Sequence, residues 1–159
     1  MTATVFFTLI LLAALGSGLM AGVFFAFSVF VMAALKRLPA AQGIASMQAI
    51  NVAVINPLFM AVFLGTGVFC SAILIFVVLM WPYPGIGYLA VGALLYIAGC
   101  IGVTMLCNVP RNNALAAVKP ESAAGVDYWP HYVREWTRWN HVRTVACAMA
   151  MAAFVVSLS

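Results

Sequence analysis

Charge is what this sequence has least of. Lys, Arg, Asp and Glu make up 6% of its 159 residues, against 67% hydrophobic residues, where a soluble domain carries roughly 25% charged residues. So little polar surface cannot shield a core of this size from water, and a water-soluble fold is excluded. The acids number three, Glu121, Asp127 and Glu135, and the histidines two, His131 and His141. A di-iron carboxylate bundle needs more carboxylates than the chain owns. Cys70, Cys100, Cys107 and Cys147 all lie in apolar segments and no two form a Cys-x-x-Cys pair, which argues against a disulfide framework or a zinc site and for small buried hydrophobes. Phosphate-cradling glycine loops, dinucleotide fingerprints and nucleophile elbows are also missing.

What the chain has instead is length of apolar run. Four stretches, at about 4–35, 57–80, 86–107 and 141–158, match or approach the ~20 residues that cross a hydrocarbon core. No Lys or Arg precedes the first, and it outruns a signal-peptide apolar region, so it is expected to be a retained span. The fold expected is all-α: a single integral membrane domain, 1–159, forming an up-down-up-down four-helix bundle with a longer connection between the third and fourth helices. Trp81-Pro82-Tyr83-Pro84-Gly85 marks an aromatic turn at a headgroup layer, and Asn108-Val109-Pro110 is expected to end the third helix, because proline lacks the amide that continues it.

The basic residues give the orientation. Lys36 and Arg37 fall in the first connection, Arg111, Lys119, Arg134 and Arg138 in the third, and none in the second. The positive-inside rule then puts both long connections in the cytoplasm and both termini outside, in a cell inner membrane. Anionic lipid would attract the net charge of +4, and nothing in the pattern calls for nucleic acid. Gly18 and Gly22 with Ala26, and Ala98 with Gly102, have the spacing of close helix packing.

Amides at membrane depth need partners. Asn51, Asn56, Asn108, Asn112, Asn113 and Asn140 all sit near one end. Asn56 before Pro57 has the form of a helix N-cap. From Trp129-Pro130 onward a helix is expected to run into the last span with two unlike faces. Arg134, Arg138 and His141 fall within ~60° of one another as a basic stripe, while Trp136, Trp139, Asn140 and Arg143 fall within ~100° on the other side. Arg143 enters the apolar region, where an unpaired charge is expensive, so a partner or a ligand is required. His131 and Glu135 are four apart and could share one metal ion, so a mononuclear site stays open, but His141 lies about 80° round the helix.

Gly18-Leu19-Met20-Ala21-Gly22 with Phe27, Met47-Gln48-Ala49-Ile50-Asn51 with Asn56-Pro57-Leu58-Phe59, Asn108-Val109-Pro110-Arg111-Asn112, and Trp136-Thr137-Arg138-Trp139-Asn140-His141-Val142-Arg143 together resemble the anthrone oxygenase-like family of small four-helix membrane proteins. The resemblance implies oxidation of an anthrone-type aromatic by dioxygen without an organic cofactor. The candidate catalytic residues are Asn140, Arg143, Asn108 and His141; the candidate substrate-binding residues are Asn51, Asn56, Asn112, Trp136 and Trp139. Partners expected are the bilayer and a hydrophobic aromatic small molecule, with a homo-oligomer or larger membrane complex left open. The competing reading is a non-catalytic membrane protein, a small-molecule binder or accessory subunit, whose amides only lock four helices together. A cavity with spare donors favours the first, and mutual satisfaction with no cavity the second.

Overall fold

The computed structural model describes residues 2–79 and 86–158. The chain forms an all-α membrane helical bundle, with no strand among the described residues. We number its helices α1 (2–37), α2 (Ala40–Ala53), α3 (Pro57–Leu79), α4 (Ile86–Ala116) and α5 (Ala123–Ser157). All but α2 are long and apolar enough to cross a membrane. The expected aromatic turn at 81–85 lies outside the described residues.

Two boundaries differ from expectation. Helix α4 does not stop at Asn108 but runs through Pro110 to Ala116. The stretch before the proline is π-helical, with Val109 N–H bonded to Thr104 O five residues back. The α ladder is thus already displaced where the missing amide falls, and the break is absorbed. Helix α5 begins at Ala123, because Ser122 caps it by accepting from Gly125 N–H at 3.1 Å. Pro130 therefore lies inside the helix and not at its start. The 35 residues of α5 extend about 50 Å at 1.5 Å per residue, more than the ~30 Å hydrocarbon core. Its N-terminal part must project beyond the spans.

That projection builds a second core. Within the spans, Ile10, Phe24, Phe63, Ile73, Tyr96, Cys100, Cys147 and Phe154 pack in one cluster. Beyond it, Met32 and Leu35 of α1, Ile44 and Met47 of α2, Leu115 of α4 and Trp129, Tyr132 and Trp136 of α5 pack in another. The Gln48 amide pins α2 in place by donating to Leu115 O (2.9 Å) and Val118 O (3.0 Å), at and just beyond the end of α4, where Leu115 O also accepts from Val118 N–H at 3.3 Å. Cys70, Cys100 and Cys147 are buried free thiols in the bundle interior, as their apolar surroundings suggested.

Of the glycines the spacing picked out, Gly18 meets another helix, whereas Gly22 and Gly102 do not, and Gly99 makes a close approach the spacing did not mark. A Cβ at Gly99 would lie 2.5 Å from Ala146 Cβ of α5, whereas one at Gly22 would meet nothing within 4 Å, and at Gly102 only the Ile97 carbonyl of the same helix at 3.5 Å. Gly18 does face a neighbour, with Met151 Sδ 2.8 Å from that position. In detergent, Gly99→Ala is expected to lower thermal stability by ~1–3 kcal/mol through overpacking. Gly22→Ala should be neutral or add up to ~1 kcal/mol from helix propensity. Unfolding midpoints of the two variants check the pair.

Candidate functional site

Arg143 organises the interior end of the site. It is 5% exposed, and among the described residues no carboxylate pairs with it; the ion pairs are Arg111–Glu135 at 3.8 Å and Arg134–Glu135 at 3.3 Å. Instead its Nη2 donates to Asn140 Oδ1 at 2.7 Å and its Nη1 to Thr104 Oγ1 at 3.1 Å. The guanidinium carbon lies 4.2 Å from the Phe24 ring centre and 5.2 Å from that of Trp136. An arginine at mid-helix in a bilayer costs roughly 2.5–3.5 kcal/mol. Hydrogen bonds to a charged group at roughly 1.5–3 kcal/mol each, with up to about 2 kcal/mol from an aromatic face, are enough to hold the cation without neutralising it.

Asn140 is what makes this possible. It is fully buried, and its amide donates to Phe24 O at 2.6 Å and to Ser28 Oγ at 2.7 Å. Both amide hydrogens are thereby used on α1 and the carbonyl oxygen is turned to Arg143. Thr144 donates to Asn140 O (2.9 Å), so the Ser28 hydroxyl is left to donate to Thr144 Oγ1 at 3.2 Å. Thr104 gives its own proton to Cys100 O (2.7 Å), leaving a lone pair for Arg143. The π-helical stretches Phe27–Val31 in α1 and Thr104–Asn108 in α4 lie at this same level. Widened turns of this kind reposition side chains and backbone at functional sites.

Beside Arg143 is a cavity of about 240 Å³, slightly below the ~300–1,000 Å³ typical for drug-sized ligands and suited to a compact rigid molecule. Phe24 and Phe27 of α1, Phe59 and Phe63 of α3 and Trp136 of α5 form aromatic walls. Polar groups come from Asn51 of α2, Thr104, Asn108 and Asn112 of α4, and Arg143 itself, with no Asp, Glu or His in the lining. Asn108 is buried and donates to Trp136 O at 3.2 Å, while its Oδ1 has no partner, and neither do Arg143 Nε and Trp136 Nε1. Asn112 Oδ1 accepts from the Tyr132 hydroxyl at 2.9 Å. The rim includes Ile55 (72% exposed) and Met105 (56% exposed).

The structure thus brings Asn51, Asn108, Asn112, Trp136 and Arg143 to one cavity, with Asn140 behind Arg143 as its support. Three candidates lie elsewhere. Asn56 is exposed and caps α3, accepting from Phe59 N–H and donating to Ala53 O, both at 3.0 Å. Trp139 is off the line 136, 140, 143 that faces the interior and is absent from the lining. His141 is exposed and lines a separate groove between α1 and α5. His131 and Glu135 are both engaged by Arg134, at 3.2 and 3.3 Å. No group of three metal-ligating side chains occurs among the described residues. Sequence reasoning missed Thr104, whose lone hydroxyl in an apolar span was a usable signal, and Phe24, Phe27, Phe59 and Phe63, which nothing in the sequence separates from lipid-facing phenylalanines.

The anthrone oxygenase family model matches residues 59–153. The chain belongs to the anthrone oxygenase family. The matched segment carries the α4 and α5 contributions to the site, from Thr104 through Arg143, while Phe24, Phe27 and Asn51 lie ahead of it. No curated protein and no solved structure shows significant similarity to the chain.

Asn56→Ala is expected to cost ~1 kcal/mol as a lost helix cap. Asn140→Ala should cost more, ~1–3 kcal/mol for each buried group it leaves unpaired, among them the Arg143 guanidinium. Thermal unfolding of the purified variants measures both, and an Asn140→Ala protein as stable as Asn56→Ala would contradict the network described.

Proposed function

We propose that the protein is a membrane oxygenase that binds a flat, hydrophobic, anthrone-type aromatic in the Arg143 cavity and oxidises it with dioxygen. The observation that carries this reading is a buried guanidinium held as a cation by neutral partners, at the wall of an aromatic cavity. Family membership supports the same class of chemistry.

An anthrone has a methylene made acidic by two flanking rings and a conjugated carbonyl. Loss of one methylene proton places negative charge largely on the carbonyl oxygen. Donors fixed in a water-poor site stabilise such charge far more than water does, and Arg143 is positioned to do so, with the amide donors of Asn51 and Asn112 nearby. The lining offers no carboxylate or imidazole, so the proton is assigned to water. The electron-rich carbanion then reduces dioxygen and forms a carbon–oxygen bond, giving a peroxide anion on the former methylene. The peroxide anion takes back from water the proton lost in the first step and becomes a hydroperoxide; departure of the second methylene proton then forms the new carbonyl as the O–O bond breaks, and the released hydroxide takes up that proton as water. One dioxygen is consumed, one oxygen atom enters the substrate and one leaves in water, without an organic cofactor. The phenylalanines and Trp136 hold the rings, and the end bearing Lys36, Arg134 and Arg138 is assigned to the cytoplasmic face of the inner membrane.

A binder without turnover is the second reading, favoured by the lack of a titratable base in the lining. The two separate in one assay. Purified protein supplied with an anthrone and oxygen should form the quinone with matched oxygen uptake. Arg143→Gln should lower the rate ~10²–10³-fold, the usual cost of one oxyanion donor, while Gly22→Ala should retain it. Turnover no faster than buffer, or insensitive to Arg143→Gln, would reject the oxygenase proposal for that substrate.

A further inference from the structure

The second large concavity lies on the opposite side of α5 from the Arg143 cavity. It is an open groove of about 610 Å³ between α1 and α5. Its walls are apolar, with Met32 and Ala33 on α1 and Pro130 and Val133 on α5, and Lys36, Arg134, Arg138 and His141 stand along it. No acidic residue lines it. The nearest carboxylate, Glu135, is bonded to Arg134 at 3.3 Å but also serves Arg111 at 3.8 Å. One negative charge is therefore shared by two arginines, and Lys36 and Arg138 keep a local positive excess. Thr137 lines the same groove, and its buried Oγ1 has no hydrogen-bond partner.

The position suits a lipid. From Arg134 to His141 the groove descends about 10 Å along α5 at 1.5 Å per residue. It starts at the charged end of the bundle and enters the zone where α1 becomes continuously apolar. A free anion would meet the cations but leave the apolar walls uncovered. A neutral lipid would cover the walls and leave the cations unmatched.

We propose that this groove is a binding site for an anionic phospholipid, with its phosphate among Lys36, Arg134 and Arg138 and an acyl chain along Met32 and Val133. Basic side chains at a membrane surface favour anionic headgroups by about fivefold per residue. Built into one groove, they select a bound lipid and not only a diffuse counterion layer.

The test is equilibrium lipid binding by native mass spectrometry on the full chain in neutral detergent, with phosphatidylglycerol and phosphatidylcholine of identical acyl chains and with glycerol 3-phosphate as separate arms. Phosphatidylglycerol should bind at least about tenfold tighter than phosphatidylcholine, and glycerol 3-phosphate should not bind in the same range. Lys36→Gln/Arg138→Gln should lose most of that preference. Arg37→Gln/Lys119→Gln removes the same charge from the same end outside the groove and should keep it. All four positions are exposed, and matching melting curves confirm that the variants fold. Equal affinity for the two lipids, equal loss in both double variants, or equally tight binding of glycerol 3-phosphate would each overturn the proposal.

Discussion

A positive charge held inside the bundle by neutral groups is the constraint around which the rest of this molecule is arranged. Arg143 on α5 has no acidic partner among the described residues, so its guanidinium is secured by an amide, a hydroxyl and two aromatic faces. Each of those groups must in turn be fixed from another helix or from its own backbone. Asn140 is locked to the α1 backbone at Phe24 and to Ser28, and Thr104 to its own helix at Cys100. The cost of burying the charge is thus spread over α1, α4 and α5, and the register of these three helices is set by it. Removing any one partner leaves a cation in apolar surroundings, which is why such a site is all or nothing.

The short helix α2 and the projecting part of α5 follow from the same requirement. A cavity beside a buried cation must be closed from the aqueous end, or water would solvate the guanidinium and weaken its hold on a ligand. The cluster of Ile44, Met47, Leu115, Trp129 and Tyr132 supplies that closure, and Gln48 fastens α2 over the end of α4. The rim is apolar, with Ile55 and Met105 exposed. The polar groups of the cavity, Asn51, Thr104, Asn108, Asn112 and Arg143, are contributed by α2, α4 and α5.

Much of this was legible in the sequence, for identifiable reasons. Long apolar runs declare membrane helices whatever their detailed packing, and a period of 3.6 puts Trp136, Asn140 and Arg143 on one face without reference to any other helix. Asn56 before Pro57 signals its cap locally, and a cap is what it forms. Other features depend on which helix lies opposite, and no spacing encodes that. Gly99 rather than Gly102 meets α5, because π-helical turns from Leu95 to Gly102 shift the face that a regular helix would present. A second such displacement, from Thr104 to Asn108, carries α4 past Pro110. Trp139 shares an arc with Trp136 on a helical wheel, yet the cavity subtends less than that arc. Phe24 and Phe27 differ from Phe25 and Phe30 only through the neighbours that α1 acquires.

Whether Arg143 acts as a cation on a ligand oxygen is open to direct spectroscopic reading with a hydroxyanthraquinone, a stable coloured relative of the proposed product whose absorption reports ionisation of its hydroxyl. Titrated against pH with and without the purified protein, the bound dye should ionise at lower pH than the free dye, and Arg143→Gln should abolish the displacement while leaving the fold intact. A dye that binds with unchanged ionisation, or one whose displacement survives Arg143→Gln, would contradict the central role of that guanidinium.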